Sequence, residues 1–147
     1  MESKNDKNYI DLLRRHGLQV TYQRLAIYEA LCSAEGHPSV DVIHQQVKRR
    51  FPMISLGTVY KTLERFCEVG LINKVSPITE VARYDAEPGH HHYMICLACE
   101  SIQNADDIIE ESEASGSDQC GVKPLRQQVF LYGYCAACKD KFVDSQA

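Results

Sequence analysis

The sequence predicts an α+β protein in which an N-terminal winged helix-turn-helix is followed by a small α/β unit. Three observations support this. Residues 9–70 carry apolar side chains at helical spacing, and two short strand-like runs follow them. The charge then changes sign, because residues 1–84 carry a net charge of +3 and residues 85–147 a net charge of −7. Two Cys-x-x-Cys pairs occur, both in the acidic part.

Three helices are predicted before residue 52. The first covers residues 9–16 and ends at Gly17. The second begins after Thr21, a good N-cap, and runs to about Ala34, where Gly36-His37-Pro38 breaks it. The third begins after Ser39 and ends near Phe51-Pro52. The stripes predicted to be buried are Leu25, Tyr28 and Cys32 in the second helix and Val40, Ile43 and Val47 in the third.

The fourth predicted helix begins after Ser55 and ends at Gly70. Its apolar stripe is Leu56, Val59, Leu63 and Phe66, and its polar side carries Thr58, Lys61, Thr62 and Arg65. Strand-like runs follow at residues 71–75 and 81–85, with a turn-like segment at 76–79 between them. Helices followed by a polar-faced helix and a hairpin predict a winged helix-turn-helix.

The second part predicts short strands around one acidic helix. Strands are expected at residues 92–99, 101–105 and 123–134, with the helix at 106–115, a loop at 116–121 and a short helix after Cys138. Ile108 and Ile109 are the predicted apolar contacts of the acidic helix. A unit of this size cannot bury a large core, so it usually needs a metal or a partner subunit.

The two Cys-x-x-Cys pairs predict a structural zinc ion held by Cys96, Cys99, Cys135 and Cys138. The alternatives are a redox dithiol or cysteines that are simply buried, but two pairs in a small polar unit favour zinc. Cys32 and Cys67 lie in apolar helix stripes and are predicted core residues. Cys120 has no evident partner in the sequence and receives no role.

Three adjacent histidines, His90, His91 and His92, precede the first cysteine pair. In a strand, His90 and His92 point one way and His91 the other, so an imidazole from either face could bind a divalent metal. His37, by its position alone, is expected to be a loop residue.

Several functional classes are disfavoured by the sequence. No apolar run approaches 18 residues, so no membrane helix is predicted, and the polar N-terminus does not resemble a signal peptide. A cytoplasmic protein is therefore expected. No nucleophile–base pairing or phosphate-binding loop is evident, so an enzyme is not predicted.

Six segments in this order resemble the Fur family of metal-dependent transcriptional regulators, especially its PerR-like branch. They are residues 17–31, 37–47, 54–72, 83–85, 90–99 and 131–138. The resemblance implies a winged-helix DNA-binding domain at residues 1–84, a hinge at 85–89 and a zinc-stabilised dimerisation domain at 90–147. It also implies a regulatory divalent metal (Fe²⁺, Mn²⁺ or Zn²⁺) between the domains, with ligands at His37, Asp85 and His91.

The chain departs from the family pattern at two further ligand positions. The family usually has a histidine two residues after His91 and an acidic residue on the next strand, where this chain has Tyr93 and Asn104. A protonated tyrosine is a poor ligand and asparagine offers only a neutral carbonyl, so a weaker site or a changed metal preference is expected. His90, His92 and Asn104 are secondary candidates for the missing ligands.

The fourth helix is the predicted DNA-recognition element. Lys61 and Arg65 are expected to reach phosphates or guanine edges, and Thr58 or Tyr60 to contact sugar, phosphate or a thymine methyl. A homodimer would present two such helices to an inverted repeat in double-stranded DNA. The predicted function is a metal-dependent transcriptional repressor that responds to metal availability or peroxide. The alternative is a zinc-gated thiol redox protein.

Overall fold

The structure, a computed structural model, describes residues 4–75, 81–87, 89, 91–109, 121–123 and 127–141. The chain divides into two units, Met1–Gly89 and His90–Ala147. The elements of the first unit are α1 (Lys4–Arg15), α2 (Tyr22–Ser33), α3 (Val40–Val47), α4 (Leu56–Glu68), β1 (Asn73–Val75) and β2 (Arg83–Asp85). Those of the second are β3 (Tyr93–Cys96), β4 (Ile102–Asn104), β5 (Phe130–Gly133) and a 3₁₀ turn at Lys139–Lys141. The α+β prediction is confirmed.

The helix boundaries follow local capping chemistry. The Thr21 side chain accepts the backbone N–H of Arg24 at the start of α2, and Ser55 accepts that of Thr58 at the start of α4. Ser39 precedes α3 without making such a bond. Gly17 lies in the left-handed region after α1, with a φ of 73°. Helix α1 begins earlier than the predicted residue 9, because charged residues before the apolar stripe also adopt helical geometry.

The core of the first unit lies between α2, α3 and α4. Val59, Leu63 and Phe66 are fully buried on one side of α4, as predicted. Leu56 is 42% exposed, so its prediction as a core residue is wrong, because it occupies the first turn of the helix at the edge of the core. Cys32 is exposed, which corrects its prediction as a core residue, whereas Cys67 is partly buried against the core.

The wing is an antiparallel hairpin in which Asn73 pairs with Asp85 and Val75 with Arg83. Strand β2 also forms an antiparallel bridge with the residues before α3, since Ser39 pairs with Arg83 and Pro38 accepts the backbone N–H of Tyr84. In this antiparallel pairing, each residue before Ser39 lies opposite the corresponding residue after Arg83. This register places His37 beside Asp85. The predicted turn at 76–79 lies outside the described residues.

The second unit contains a sheet with the strand order β4-β3-β5. Strands β3 and β4 are antiparallel, and β3 and β5 are parallel, with Cys96 opposite Gly133. Of the predicted acidic helix, residues 106–109 form a turn and the rest lies outside the described residues, as does the predicted loop up to residue 120. The described part of the predicted 123–134 strand is regular only at 130–133. Ile108 is 70% exposed, so it makes no core contact within the described chain.

None of the helices in the described ranges has the length and apolar character that crossing a bilayer requires.

Candidate metal centres and nucleic-acid interface

The four cysteines predicted to bind zinc lie together in the second unit. The sulfurs of Cys96, Cys99, Cys135 and Cys138 all lie within 4.8 Å of one another. A tetrahedral zinc site with Zn–S bonds of about 2.3 Å has sulfurs about 3.8 Å apart. The Cys99 and Cys135 sulfurs are 3.8 Å apart, so the donor set and its spacing fit a zinc ion.

Parallel pairing of β3 with β5 explains how cysteines far apart in sequence meet. Cys96 ends β3 and Cys135 follows β5 by two residues. Both Cys-x-x-Cys turns therefore lie at the same end of the sheet, where these parallel strands finish. The turns are closed by backbone bonds from Glu100 N–H to Cys96 O and from Cys138 N–H to Cys135 O. Glu100 adopts a φ of 61°, which reverses the chain after the first pair. The turns therefore hold the sulfurs in position through the backbone.

Backbone donors surround the sulfurs. Hydrogen bonds from the backbone of Cys99 and Cys135 lower the pKa of the Cys96 thiol to about 6, and the Cys135 N–H lies 3.4 Å from that sulfur. The Ser101 side chain lowers the pKa of Cys99. Hydrogen bonding with Cys135 and burial raise the pKa of Cys138 to about 12. Zinc binds thiolates, so the lowered pKa favours the thiolate of Cys96 before the ion arrives. Thiols that are still protonated, such as Cys138, release their protons when zinc binds.

His37 and Asp85, two residues that the family resemblance assigns to the regulatory metal, are in contact. His37 Nε2 lies 3.5 Å from Asp85 Oδ2, and both side chains are mostly buried. The other carboxylate oxygen of Asp85 accepts the Glu87 N–H at 2.9 Å. Imidazole and carboxylate are suitable donors for Fe²⁺, Mn²⁺ or Zn²⁺. Buried and in contact, His37 and Asp85 form a candidate pair of metal ligands in the first unit.

His91, the third residue assigned by resemblance, belongs to the second unit and contacts a residue that sequence reasoning missed. Its Nδ1 lies 2.7 Å from Asp106 Oδ2. Asn104 Nδ2 lies 3.3 Å from the same nitrogen. The His92 N–H first, and His91 second, lower the pKa of Asp106. The family pattern places an acidic residue at position 104, where this chain has Asn104. The presence of Asp106 two residues later was the sequence signal that could have identified it.

The secondary histidine candidates differ. His92 Nδ1 accepts the Val129 N–H at 2.9 Å, so this nitrogen holds β5 beside β3 and is not available to an ion. His90 lies outside the described residues. Tyr93 is completely buried and stacks on Phe130 with ring centroids 6.1 Å apart, which gives it a packing role.

The four residues predicted to contact DNA, Thr58, Tyr60, Lys61 and Arg65, are all exposed on α4. Thr58 is in the first turn, where its hydroxyl contacts Ser55 Oγ at 2.9 Å. Arg65 forms an exposed ion pair with Glu68 at 3.0 Å. Lys61 lies one helical turn before Arg65, so the two cations share a stripe. The opposite side of α4 is the buried stripe, which fixes the direction in which this polar face points.

Glu64 joins α4 to the wing. Its Oε1 accepts hydrogen bonds from Lys74 Nζ at 2.9 Å and from the Tyr84 hydroxyl at 3.3 Å. The Lys74 ammonium also lies 5.7 Å from the Tyr60 ring centroid. Glu64 was not singled out from sequence, because its partners lie in strands 10 and 20 residues away.

Comparison with known proteins finds regulators of one family. The model of the ferric uptake regulator family matches residues 15–132. The peroxide-responsive repressor PerR of Staphylococcus aureus strain Mu50 is 30% identical over 130 residues, covering 88% of both chains. The same repressor from Staphylococcus epidermidis is 29% identical, covering 88% of this chain and 87% of its own.

Solved structures resemble most of the chain. The Campylobacter jejuni peroxide stress regulator is 28% identical with a TM-score of 0.65, covering 88% of this chain and 98% of its own. The Helicobacter pylori ferric uptake regulator Fur, described as having three functional metal binding sites, has a TM-score of 0.72 at 21% identity and covers 98% of this chain and 95% of its own. At that identity the likeness supports the fold alone.

Proposed function

The chain belongs to the ferric uptake regulator family, and from this premise we propose that it is a metal-dependent, DNA-binding transcriptional repressor. The observation that carries the proposal is the exposed polar face of α4 within a winged helix. Thr58, Lys61 and Arg65 point away from a helix side that is fully buried at Val59, Leu63 and Phe66. A helix fixed in this way can enter a major groove with its cations at phosphates or guanine edges.

The proposed partner is double-stranded DNA with an inverted repeat, bound by a homodimer. One winged helix reads one half-site, and a two-fold symmetric pair reads two half-sites in opposite orientation. We assign dimerisation to residues 90–147, DNA binding to residues 1–84 and a hinge to 85–89. A repressor of this kind acts at the chromosome, so we place it in the cytoplasm, and we assign it no enzymatic activity.

The structural metal of the proposal is one Zn²⁺ per subunit at Cys96, Cys99, Cys135 and Cys138. A bound zinc ion supplies structural cross-linking and no redox chemistry. The chain's own part is to present four sulfurs within 4.8 Å from turns that β3 and β5 bring to one end of the sheet. The cluster thereby joins the beginning of the second unit to its end.

The regulatory ligands of the proposal are His37, Asp85 and His91. His37 and Asp85 already contact each other in the first unit, and His91 is held by Asp106 in the second. Ligands drawn from both units restrict the arrangement of the two recognition helices when they are engaged together. Regulation requires that the DNA-binding arrangement offers these ligands the better geometry, since equal affinity for both arrangements would shift nothing.

The signal is metal availability or peroxide. The relatives named above include peroxide-responsive repressors and a peroxide stress regulator, and two similar ferric uptake regulators were solved with iron and with manganese. Tyr93 and Asn104 replace a histidine and an acid of the family pattern, so we expect a weaker site than in relatives that have both. The alternative of a zinc-gated thiol redox protein leaves the exposed face of α4 and the His37–Asp85 pair without a role.

The test is operator binding by the full chain, loaded with zinc, in the presence and absence of added Mn²⁺. Gel-shift or anisotropy titrations use the promoter DNA upstream of its own coding region as the first probe. The parent is expected to bind more tightly with Mn²⁺, and His37→Ala and Asp85→Ala are expected to lose that dependence while zinc content stays at one per chain. His44→Ala is the matched control, because the His44 ring bonds the Ile54 carbonyl at 2.9 Å and takes no part in the proposed site.

Two outcomes would contradict the proposal. Binding by the parent that is insensitive both to Mn²⁺ and to a chelator that spares the zinc would leave only a structural metal. Equal metal dependence in the parent, His37→Ala and Asp85→Ala would show that the switch lies elsewhere. A thiol redox protein would instead show activity that depends on the four cysteines and no preference for promoter DNA.

A further inference from the structure

Asp106 is held at both of its carboxylate oxygens. Oδ2 lies 2.7 Å from His91 Nδ1, and Oδ1 accepts the His92 N–H at 2.6 Å. The backbone N–H of Asp106 itself donates to Asn104 Oδ1 at 2.9 Å. All three contacts arise within the segment 91–106, so the chain that carries His91 also supplies the carboxylate that fixes it.

Asn104 occupies the position where the family pattern places an acid, but its amide is already engaged. Its oxygen accepts the Asp106 N–H, and its nitrogen lies 3.3 Å from His91 Nδ1. Because His91 Nδ1 donates to Asp106 at 2.7 Å, the longer contact with the Asn104 nitrogen is not a hydrogen bond. Turning the amide over would bring its oxygen to His91 only by losing the bond to Asp106. The carboxylate that meets His91 is consequently that of Asp106, two residues further along the chain.

The contact determines which ring nitrogen of His91 carries the proton. A carboxylate accepts hydrogen bonds, so the neutral imidazole is stabilised with its hydrogen on Nδ1. The lone pair then lies on Nε2, the nitrogen on the far side of the ring. Metal-binding histidines are commonly oriented in this way by a carboxylate on their other nitrogen, and loss of that partner lowers metal affinity 10–100-fold.

We propose that Asp106 is the positioning residue of the regulatory metal site, holding His91 with its proton on Nδ1 and Nε2 directed to the ion. This assignment rests on the proposed function, because it concerns the same ion. It adds Asp106 to the residues that the resemblance assigns and explains how a chain with Asn104 retains a negative charge at its regulatory histidine. Asp106 orients a ligand here and is not itself one.

The experiment uses the zinc-loaded full chain and Mn²⁺ as the probe, with free Mn²⁺ followed by its electron paramagnetic resonance signal. Asp106→Ala is compared with Asp107→Ala, which removes the same charge from an exposed neighbour. We expect a 10–100-fold weaker Mn²⁺ affinity for Asp106→Ala and a change below about threefold for Asp107→Ala. Asp106→Asn keeps the side-chain volume and one acceptor oxygen, and an intermediate loss is expected.

A second readout reports the proton on His91 directly. Long-range ¹H–¹⁵N spectra of the histidine rings, taken without Mn²⁺, should show His91 protonated at Nδ1 in the parent and in Asp107→Ala. In Asp106→Ala the Nε2–H form should gain population. A merely structural role for Asp106 would lower stability or zinc content and leave the tautomer unchanged. Asp106→Glu keeps the carboxylate and should recover part of the affinity.

The assignment is overturned if Asp106→Ala and Asp106→Asn bind Mn²⁺ as tightly as the parent, or if the His91 tautomer is the same in all variants. It is also overturned if both variants lose more than about 10³-fold and the visible spectrum of the Co²⁺ form shows a lost ligand, because Asp106 would then bind the ion itself. A parent that takes up no second metal refutes the proposed function as well, which separates that failure from failure of the Asp106 assignment alone.

Discussion

Replacing Cys138 by serine removes one sulfur from the four-cysteine cluster and should strongly destabilise the second unit alone. Structural zinc contributes roughly 10–16 kcal/mol to small domains, which is about 2.5–4 kcal/mol for each of four ligands. A domain of about 58 residues has a total stability of about 3–9 kcal/mol at 0.05–0.15 kcal/mol per residue. The loss of one ligand therefore removes a large share of the stability of residues 90–147, whereas the first unit keeps its own core.

Hydrogen exchange read by mass spectrometry separates the two units in one experiment. Peptides containing β3 and β5 should exchange at least about 100-fold faster in Cys138→Ser than in the parent, and peptides containing α2 and α4 should be unchanged. Cys32→Ser is the matched control, because Cys32 is an exposed thiol outside the cluster. Full protection of β3 and β5 in zinc-free Cys138→Ser would refute the reasoning, since this sheet would then be stable without its metal.

Three further predictions follow from the described contacts. Zinc affinity of the reloaded protein should fall at least about tenfold per pH unit between pH 8 and 7, because Cys138 with a pKa of about 12 must lose a proton. Below pH 6 the zinc affinity should fall more steeply, at least about 100-fold per pH unit, because protons then compete for Cys96 as well. A pH-independent zinc affinity, measured in competition with a chelator, would contradict this. Leu63→Ala should lower the free energy of unfolding of the first unit by about 2–5 kcal/mol in urea titrations, with zinc content unchanged, since Leu63 is fully buried. Lys61→Ala should weaken operator binding and reduce the slope of log affinity against log salt by about 1. Lys139→Ala, in the second unit, should leave this slope unchanged. Equal slopes for the two variants would place Lys61 away from the phosphates.

Local patterns predicted the helices that matter most for the proposed function. Thr21 and Ser55 cap their helices as expected, because a side-chain oxygen three residues before a backbone N–H is a local arrangement. The stripe of Val59, Leu63 and Phe66 is buried because its 3.6-residue spacing repeats through α4. Leu56 and Cys32 were wrongly placed in the core because periodicity gives a helix face and does not say where the neighbouring helices stop.

Contacts between distant parts of the chain could not be predicted in the same way. Asp106 reaches His91 across 15 residues because β3 and β4 are antiparallel, and a sequence does not state that register. Glu64 meets Lys74 and Tyr84 only once the wing has folded back toward α4. Lys74 of the wing is held by Glu64 at 2.9 Å for the same reason. Residue types and spacing thus predict candidate ligands, and pairing of strands decides which of them meet.

Strand β2 is only three residues long, and its two faces serve different neighbours. Tyr84 points toward Glu64 of α4, while Asp85 meets His37 on the bridge to the segment before α3. Because side chains alternate along a strand, deletion or insertion of a single residue within β2 would exchange these faces. Tyrosine would then stand where the ion pair needs a carboxylate, and a carboxylate would enter the hydrophobic core. Substitutions can therefore change the chemistry of this strand, but its length is fixed by the contacts of Tyr84 and Asp85 on its two faces.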